Sequence, residues 1–177
     1  MAILSKYKYT EKEQKELLDS LIILVDSREK SNKHITDFFD SQKVKYKVMG
    51  LSEGDYSFYI PANEKLNIDR DLYFNKDVVL ERKNSLEEIS GNLTKDRVRF
   101  KTELIQFKGD MQLMIENSSY KDLVEGNYNT QYDKKSFTAS LHSISSEFGV
   151  PFIFIDKEYS GLYIYMHLRY WLRNIIK

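Results

Sequence analysis

Cysteine is absent from this chain of 177 residues, and proline occurs only twice. The lack of cysteine excludes disulfide staples and cysteine-based zinc sites, and it fits a reducing compartment. Histidine is almost as scarce: His34, His142 and His167 are scattered and form no metal-ligand spacing. No apolar run approaches the roughly 20 residues that would cross a bilayer. The N-terminus shows no basic segment followed by an apolar core of secretory type. These absences lead us to expect a cytoplasmic protein with no membrane partner. Nor does either charge dominate, since 27 Lys+Arg balance 27 Asp+Glu. Any nucleic-acid surface must therefore be a local patch set against acidic residues elsewhere.

What is present describes a globular chain. Hydrophobic residues make up 41% and charged residues 31%. The length suits one domain with a real core and is too short for two comfortable ones. We expect an N-terminal leader and helix over residues 1–20, then a single domain over 21–177. Residues 1–9 read as a loose leader. Thr10, followed three positions later by Glu13, predicts a capping box opening a helix that runs to about Ser20.

Leu21–Val25 reads as a strand buried on both faces, closed by Asp26-Ser27-Arg28-Glu29. A helix over 33–42 follows, then strands over Val44–Met49 and Gly54–Ile60, the latter alternating and stopped by Pro61. Residues 62–71 read as a loop or hairpin tip, and Leu72–Lys83 as one returning strand. A long helix is expected over 85–108, broken near Gly91-Asn92, with Val98, Lys101, Leu104, Ile105 and Lys108 on related turns. Met111–Ile115 is another strand, and Ser118–Tyr132 a loop with at most one helical turn. Ser136–Phe148 should be a helix ended by Gly149, Phe152–Ile155 a last strand, and 160–176 a final helix. Strands alternating with helices predict an α/β domain: a central mixed β-sheet with helices on both faces.

The chemistry concentrates in Val78-Val79-Leu80-Glu81-Arg82-Lys83. Side chains alternate along a strand, so Glu81 and Lys83 point one way and Arg82 the other. A carboxylate and an ammonium thereby converge on one spot. With Asp55 on an adjacent strand, such a spot could hold Mg²⁺ or Mn²⁺, which need only a few carboxylates beside waters and phosphate oxygens. Lys83 would orient water or neutralise a phosphate. Arg82 is better placed to brace the site or bind another acidic group.

Asp26-Ser27-Arg28-Glu29, then Gly54-Asp55-Tyr56, then Val79-Leu80-Glu81-Arg82-Lys83, in that order, resembles the ERCC4-type nuclease domain of structure-specific endonucleases. The resemblance covers roughly residues 21–157 and implies a restriction-endonuclease-like core. It further implies a metal-dependent DNA endonuclease acting on branched or structured DNA in repair or recombination. Asp55 and Glu81 would be main metal ligands, joined by Asp26 and Glu29. Lys83 would be the catalytic lysine and Arg82 a required neighbour. Arg28 would belong to the DNA-facing set, and Glu87 would fill an acidic slot after Glu-Arg-Lys. Two departures stand out: a longer spacer between Asp55 and Glu81, and no sequence suggesting tandem helix-hairpin-helix modules.

DNA contact is expected from the basic segment Lys95-Asp96-Arg97-Val98-Arg99-Phe100-Lys101, with Arg97 the best match to the DNA-facing arginine of the resembled family. Homodimerisation through the last two helices is expected as well. The rival readings are a catalytically silent scaffold and a protein-binding regulator.

Overall fold

The computed structural model describes Leu4 and Tyr7–Lys177. Part of the expected leader thus lies outside the described residues. In chain order the elements are α1 (Glu11–Ser20), β1 (Ile22–Asp26), α2 (Lys33–Ser41), β2 (Tyr46–Met49), β3 (Tyr56–Ile60), β4 (Leu72–Tyr73) and β5 (Val78–Lys83). There follow α3 (Leu86–Leu93), α4 (Arg97–Gln106), β6 (Asp110–Glu116), α5 (Tyr120–Glu125), α6 (Lys134–Phe148), β7 (Phe152–Ile155) and α7 (Ser160–Ile175). Parallel and antiparallel neighbours occur together, so the α/β fold has a mixed sheet. The chain divides into two compact units, residues 1–79 with 161–177, and residues 80–160.

In the first unit, α1 opens with the expected capping box: Glu13 accepts from the Thr10 N–H at 2.8 Å while Thr10 Oγ1 accepts from the Glu13 N–H. Strand β1 is aliphatic, and its last four residues are buried. It pairs in parallel with β2 and antiparallel with β3, placing Leu24 beside Lys47 and Ser57. Helix α2 makes the crossover to β2 and buries Ile35 and Phe39. Helix α7 turns Ile164, Leu168 and Leu172 inward at four-residue spacing, each 0% exposed. Burying a side chain of this size contributes about 1.5–3 kcal/mol. Trp171 on the same helix meets the stacked Phe58 and Phe74 rings edge-on at 6.0 Å. This aromatic residue of the last helix therefore packs on the sheet.

Two expectations change here. Strand β3 is buried at every position rather than alternating, its Ser57 hydroxyl donating to the Val78 carbonyl at 2.8 Å. The single strand expected over Leu72–Lys83 is instead β4, a turn and β5. Asp77 and Val78 both donate to the Phe74 carbonyl, because the Phe74 ring turns inward onto Phe58.

In the second unit β6 and β7 pair in parallel, Leu113 beside Phe152, with α5 and α6 in the connection between them. Gly149 at φ 66° ends α6, as expected. The helix expected over 85–108 is two helices, and the break falls at Thr94–Asp96 rather than at Gly91, which stays inside α3. The inward face of α4 is Phe100 and Leu104, whereas Val98 is 82% and Ile105 54% exposed. A two-residue offset explains it: Phe100 and Leu104 are four apart and share a face, whereas Val98 lies two residues, about 200°, round the helix from Phe100. The expected loop over 118–132 contains α5, opened by a Ser119–Asp122 capping box.

Candidate active site

In the first unit, β1 delivers Asp26 to the strand end, where it is 2% exposed. Its Oδ2 accepts from Arg28 Nε at 2.8 Å, and its Oδ1 from the Arg28 and Leu51 N–H groups at 3.2 and 3.4 Å. Arg28 Nη2 donates onward to the Leu51 carbonyl at 2.7 Å. The backbone N–H of Asp26 donates to the Asp55 carbonyl at 2.8 Å, and that of Glu29 to the Asp26 carbonyl at 3.1 Å. Asp26 thus knots three segments of chain through its own atoms. Both of its oxygens serve this knot, and Arg28, read as DNA-facing, is the group that holds it.

Gly54, at φ 69°, leads into Asp55, which is half-buried immediately ahead of β3. Beside it, Glu53 accepts from Lys76 Nζ at 3.2 Å, and Lys76 also donates to the Ser52 hydroxyl. The Glu53 carboxyl is held below its ordinary range, first by hydrogen bonding to Ser52 and then by Lys76 against the opposing cost of burial. Glu53 and Lys76 escaped the sequence reading, although Glu53 adjoins the Gly-Asp pair.

In the second unit, β5 ends as alternation predicts. Lys83 Nζ donates to Glu81 Oε1 at 2.6 Å, with side chains 9% and 18% exposed. Glu88 approaches the same ammonium at 3.8 Å, and the Phe100 ring lies 5.7 Å beneath it. On the other side of the strand Arg82 Nη2 donates to Glu116 Oε2 at 2.8 Å and to Asn84 Oδ1 at 3.3 Å. Glu81 keeps one oxygen with no hydrogen bond among the described residues. Among those residues no three His, Asp or Glu side chains group as a metal cage.

The neighbouring predicted residues fall in two places. Glu87 accepts from the Asn129 N–H at 2.8 Å, a bond that is the first cause of its lowered carboxyl pKa. Arg97 turns onto its own unit, donating to the Leu93 carbonyl at 3.3 Å and Ser140 Oγ at 3.4 Å. Lys95 is exposed, and Arg99 is 66% exposed beside Asp96 and Glu103 at 3.8 and 3.5 Å. Glu88 and Glu116 were missed. Glu116 ends an apolar strand as Glu81 does, a signal that was available.

The domain is of the α/β class, a mixed sheet with paired carboxylates and cations at the ends of β1 and β5. The ERCC4 domain model matches residues 25–166, and the chain belongs to that family, a family of nucleases. Two solved structures share the fold. XPF from Aeropyrum pernix is 17% identical with a TM-score of 0.63, covering 87% of this chain and 66% of that one. The same protein in complex with DNA is 16% identical with a TM-score of 0.61, covering 86% and 66%. This chain therefore spans just under two thirds of the length of those proteins. No curated protein sequence matches it.

Proposed function

We propose that this chain is a divalent-metal-dependent DNA endonuclease acting on branched or structured DNA. The observation that carries the reading is the Glu81–Lys83 contact at 2.6 Å at the C-terminal end of the buried strand β5. It comes with membership of a nuclease family and a second oxygen on Glu81 that makes no hydrogen bond among the described residues. Mg²⁺ or Mn²⁺ needs only one or two protein carboxylates, and Glu81 is the residue of the second unit that would hold it. When bound, the metal would supply an activated water and offset charge on the phosphate.

The chain's own groups have separate tasks in this reading. Glu81 fixes the direction of the Lys83 ammonium, so that it can hold a phosphate oxygen or orient the water. Arg82 anchors the strand through Glu116. Asp26 positions the Asp55 loop, with Glu29 alongside. Lys95 and Arg99 would meet the DNA backbone. We further infer homodimerisation, for which α7 offers Leu162, Met166 and Tyr170, each 39–47% exposed at four-residue spacing.

Incubation of flap, fork, Holliday-junction and plain duplex DNA with Mn²⁺ tests the activity. Cleavage abolished by Glu81→Ala, and retained in the surface control Lys157→Ala, supports the enzyme. Lys83 occupies Glu81 Oε1, and Arg28 and Leu51 occupy both Asp26 oxygens, which favours a second reading, a DNA-binding scaffold without catalysis. Structure-selective binding with no cleavage under any divalent metal would decide for that reading.

A further inference from the structure

A cavity of about 520 Å³ lies in the first unit between the residues ahead of α1 and the extension that follows β3. Neither part belongs to the charged strand ends described above. The extension is a built wall. Asn63 and Ile68 bridge in antiparallel fashion through N–H to carbonyl bonds of 2.8 and 3.0 Å. The Asn63 amide accepts from the Lys65 N–H and donates to Glu16 of α1, each at 3.0 Å. Asp71 closes the base by accepting from the Ala62 N–H at 3.0 Å.

That scaffold presents Leu66 and Ile68 to the cavity, and Leu4 and Leu72 complete the apolar lining. Tyr7 and Tyr9 stand over it with ring centroids 6.5 Å apart, and Tyr7 is 61% exposed. Partial burial, then the neighbouring Tyr7 and Glu13, raise the Tyr9 phenol pKa and keep it a neutral donor.

The polar rim is unevenly spent. Glu13 gives its carboxylate to the α1 cap, accepting from Thr10 N–H and Oγ1–H at 2.8 Å each. Among the described residues Lys8 and Arg70 make no ion pair or hydrogen bond, and the side chains of Asn67 and Asp69 make none either. A matching ligand needs a flat apolar body, an anionic group for two cations, and an edge of donors and acceptors for an amide and a carboxylate. A nucleotide has all three. The volume falls in the ordinary range for small-ligand pockets. A base still stacked in a duplex offers no free face, whereas an unpaired one does.

We propose that this cavity binds an unpaired nucleotide of a nucleic-acid strand, its base against Tyr7 and Tyr9 and its phosphate on Lys8 and Arg70. That the strand is DNA rests on the nuclease reading; the nucleotide chemistry does not. Anisotropy of a labelled single-stranded hexamer, with EDTA to prevent cleavage, is the test. Tyr7→Ala and Arg70→Glu should each weaken binding by about fivefold to a hundredfold, the loss expected for a base stack or its phosphate anchor. The surface control Lys157→Ala should bind as the unaltered chain does. Lys8→Ala, at an exposed residue of the rim, should weaken binding as well and guards against misfolding as the cause of a loss. Hexamer binding indifferent to all three cavity variants overturns the proposal. So does dCMP competing as strongly per molecule as the hexamer, which would make the ligand a free nucleotide. Cleavage by Glu81 is scored separately, so either reading can fail alone.

Discussion

Arg82 and Glu116 meet at 2.8 Å with side chains 2% and 0% exposed. The arginine sits between the two residues assigned to chemistry, yet strand alternation sends it to the opposite face, into a buried pair. Breaking such a pair leaves an uncompensated charge in the interior, which costs about 3–5 kcal/mol. We therefore expect Glu116→Ala to lower stability by that amount in urea denaturation. Arg82→Met/Glu116→Leu should recover most of it, since replacing both partners removes the stranded charge. If the double variant also loses cleavage while remaining folded, Arg82 contributes more than anchoring. A single Glu116→Ala variant as stable as the unaltered chain would remove the anchoring role.

The basic segment after β5 should divide by function. Lys95 is exposed, so Lys95→Ala should reduce the slope of log binding constant against log salt by about 0.9 on duplex DNA. Arg97 bonds to Leu93 and Ser140, so Arg97→Ala should act on melting temperature instead. A salt slope that falls with Arg97→Ala and not with Lys95→Ala would reverse this assignment.

How much of this was readable depended on how local each signal was. Thr10 with Glu13, and Gly149 after α6, act over one helical turn, and α1 begins and α6 ends where those residues place them. The Glu81–Lys83 convergence needed only the two-residue period of a strand. The Leu72–Lys83 segment was misjudged because Phe74 leaves the strand to stack on Phe58, a partner distant in sequence. The α3–α4 break was misplaced because Gly91 is tolerated inside a helix, while Thr94 turns its hydroxyl back onto the Ser90 carbonyl at 2.7 Å. Glu116 as the partner of Arg82 rests on tertiary pairing, which no local pattern encodes.

Glu87 supplies a pH test. Its carboxyl pKa is lowered in the folded chain, first by the Asn129 N–H and then by the Ser85 side chain. A depressed pKa adds stability above the unfolded value, and that stability is lost as pH falls through the folded value. The difference between the unaltered chain and Glu87→Gln should thus be constant near neutrality. It should shrink as pH drops below the ordinary glutamate value of about 4.3. Urea midpoints measured from pH 7 to 3 check this, and a difference that grows on acidification would contradict it.

Two glycines should answer a methyl group in opposite ways. A Cβ on Gly161 would stand 2.7 and 2.8 Å from the Phe38 ring and 2.9 Å from Phe38 Cβ. The ring can rotate toward solvent, but its Cβ is fixed to the α2 backbone, so rotamer change gives incomplete relief. Overpacking of this kind costs about 1–3 kcal/mol, and Gly161→Ala should lower the melting temperature accordingly. Adding Phe38→Ala should restore only part, since the 2.9 Å approach persists. Gly91 lies inside α3 with nothing within 4 Å of the added atom. Gly91→Ala should therefore stabilise by about 0.5–1 kcal/mol, the helix-propensity gain alone. Equal melting temperatures for the two variants would show that α7 does not approach α2 as closely as Gly161 requires.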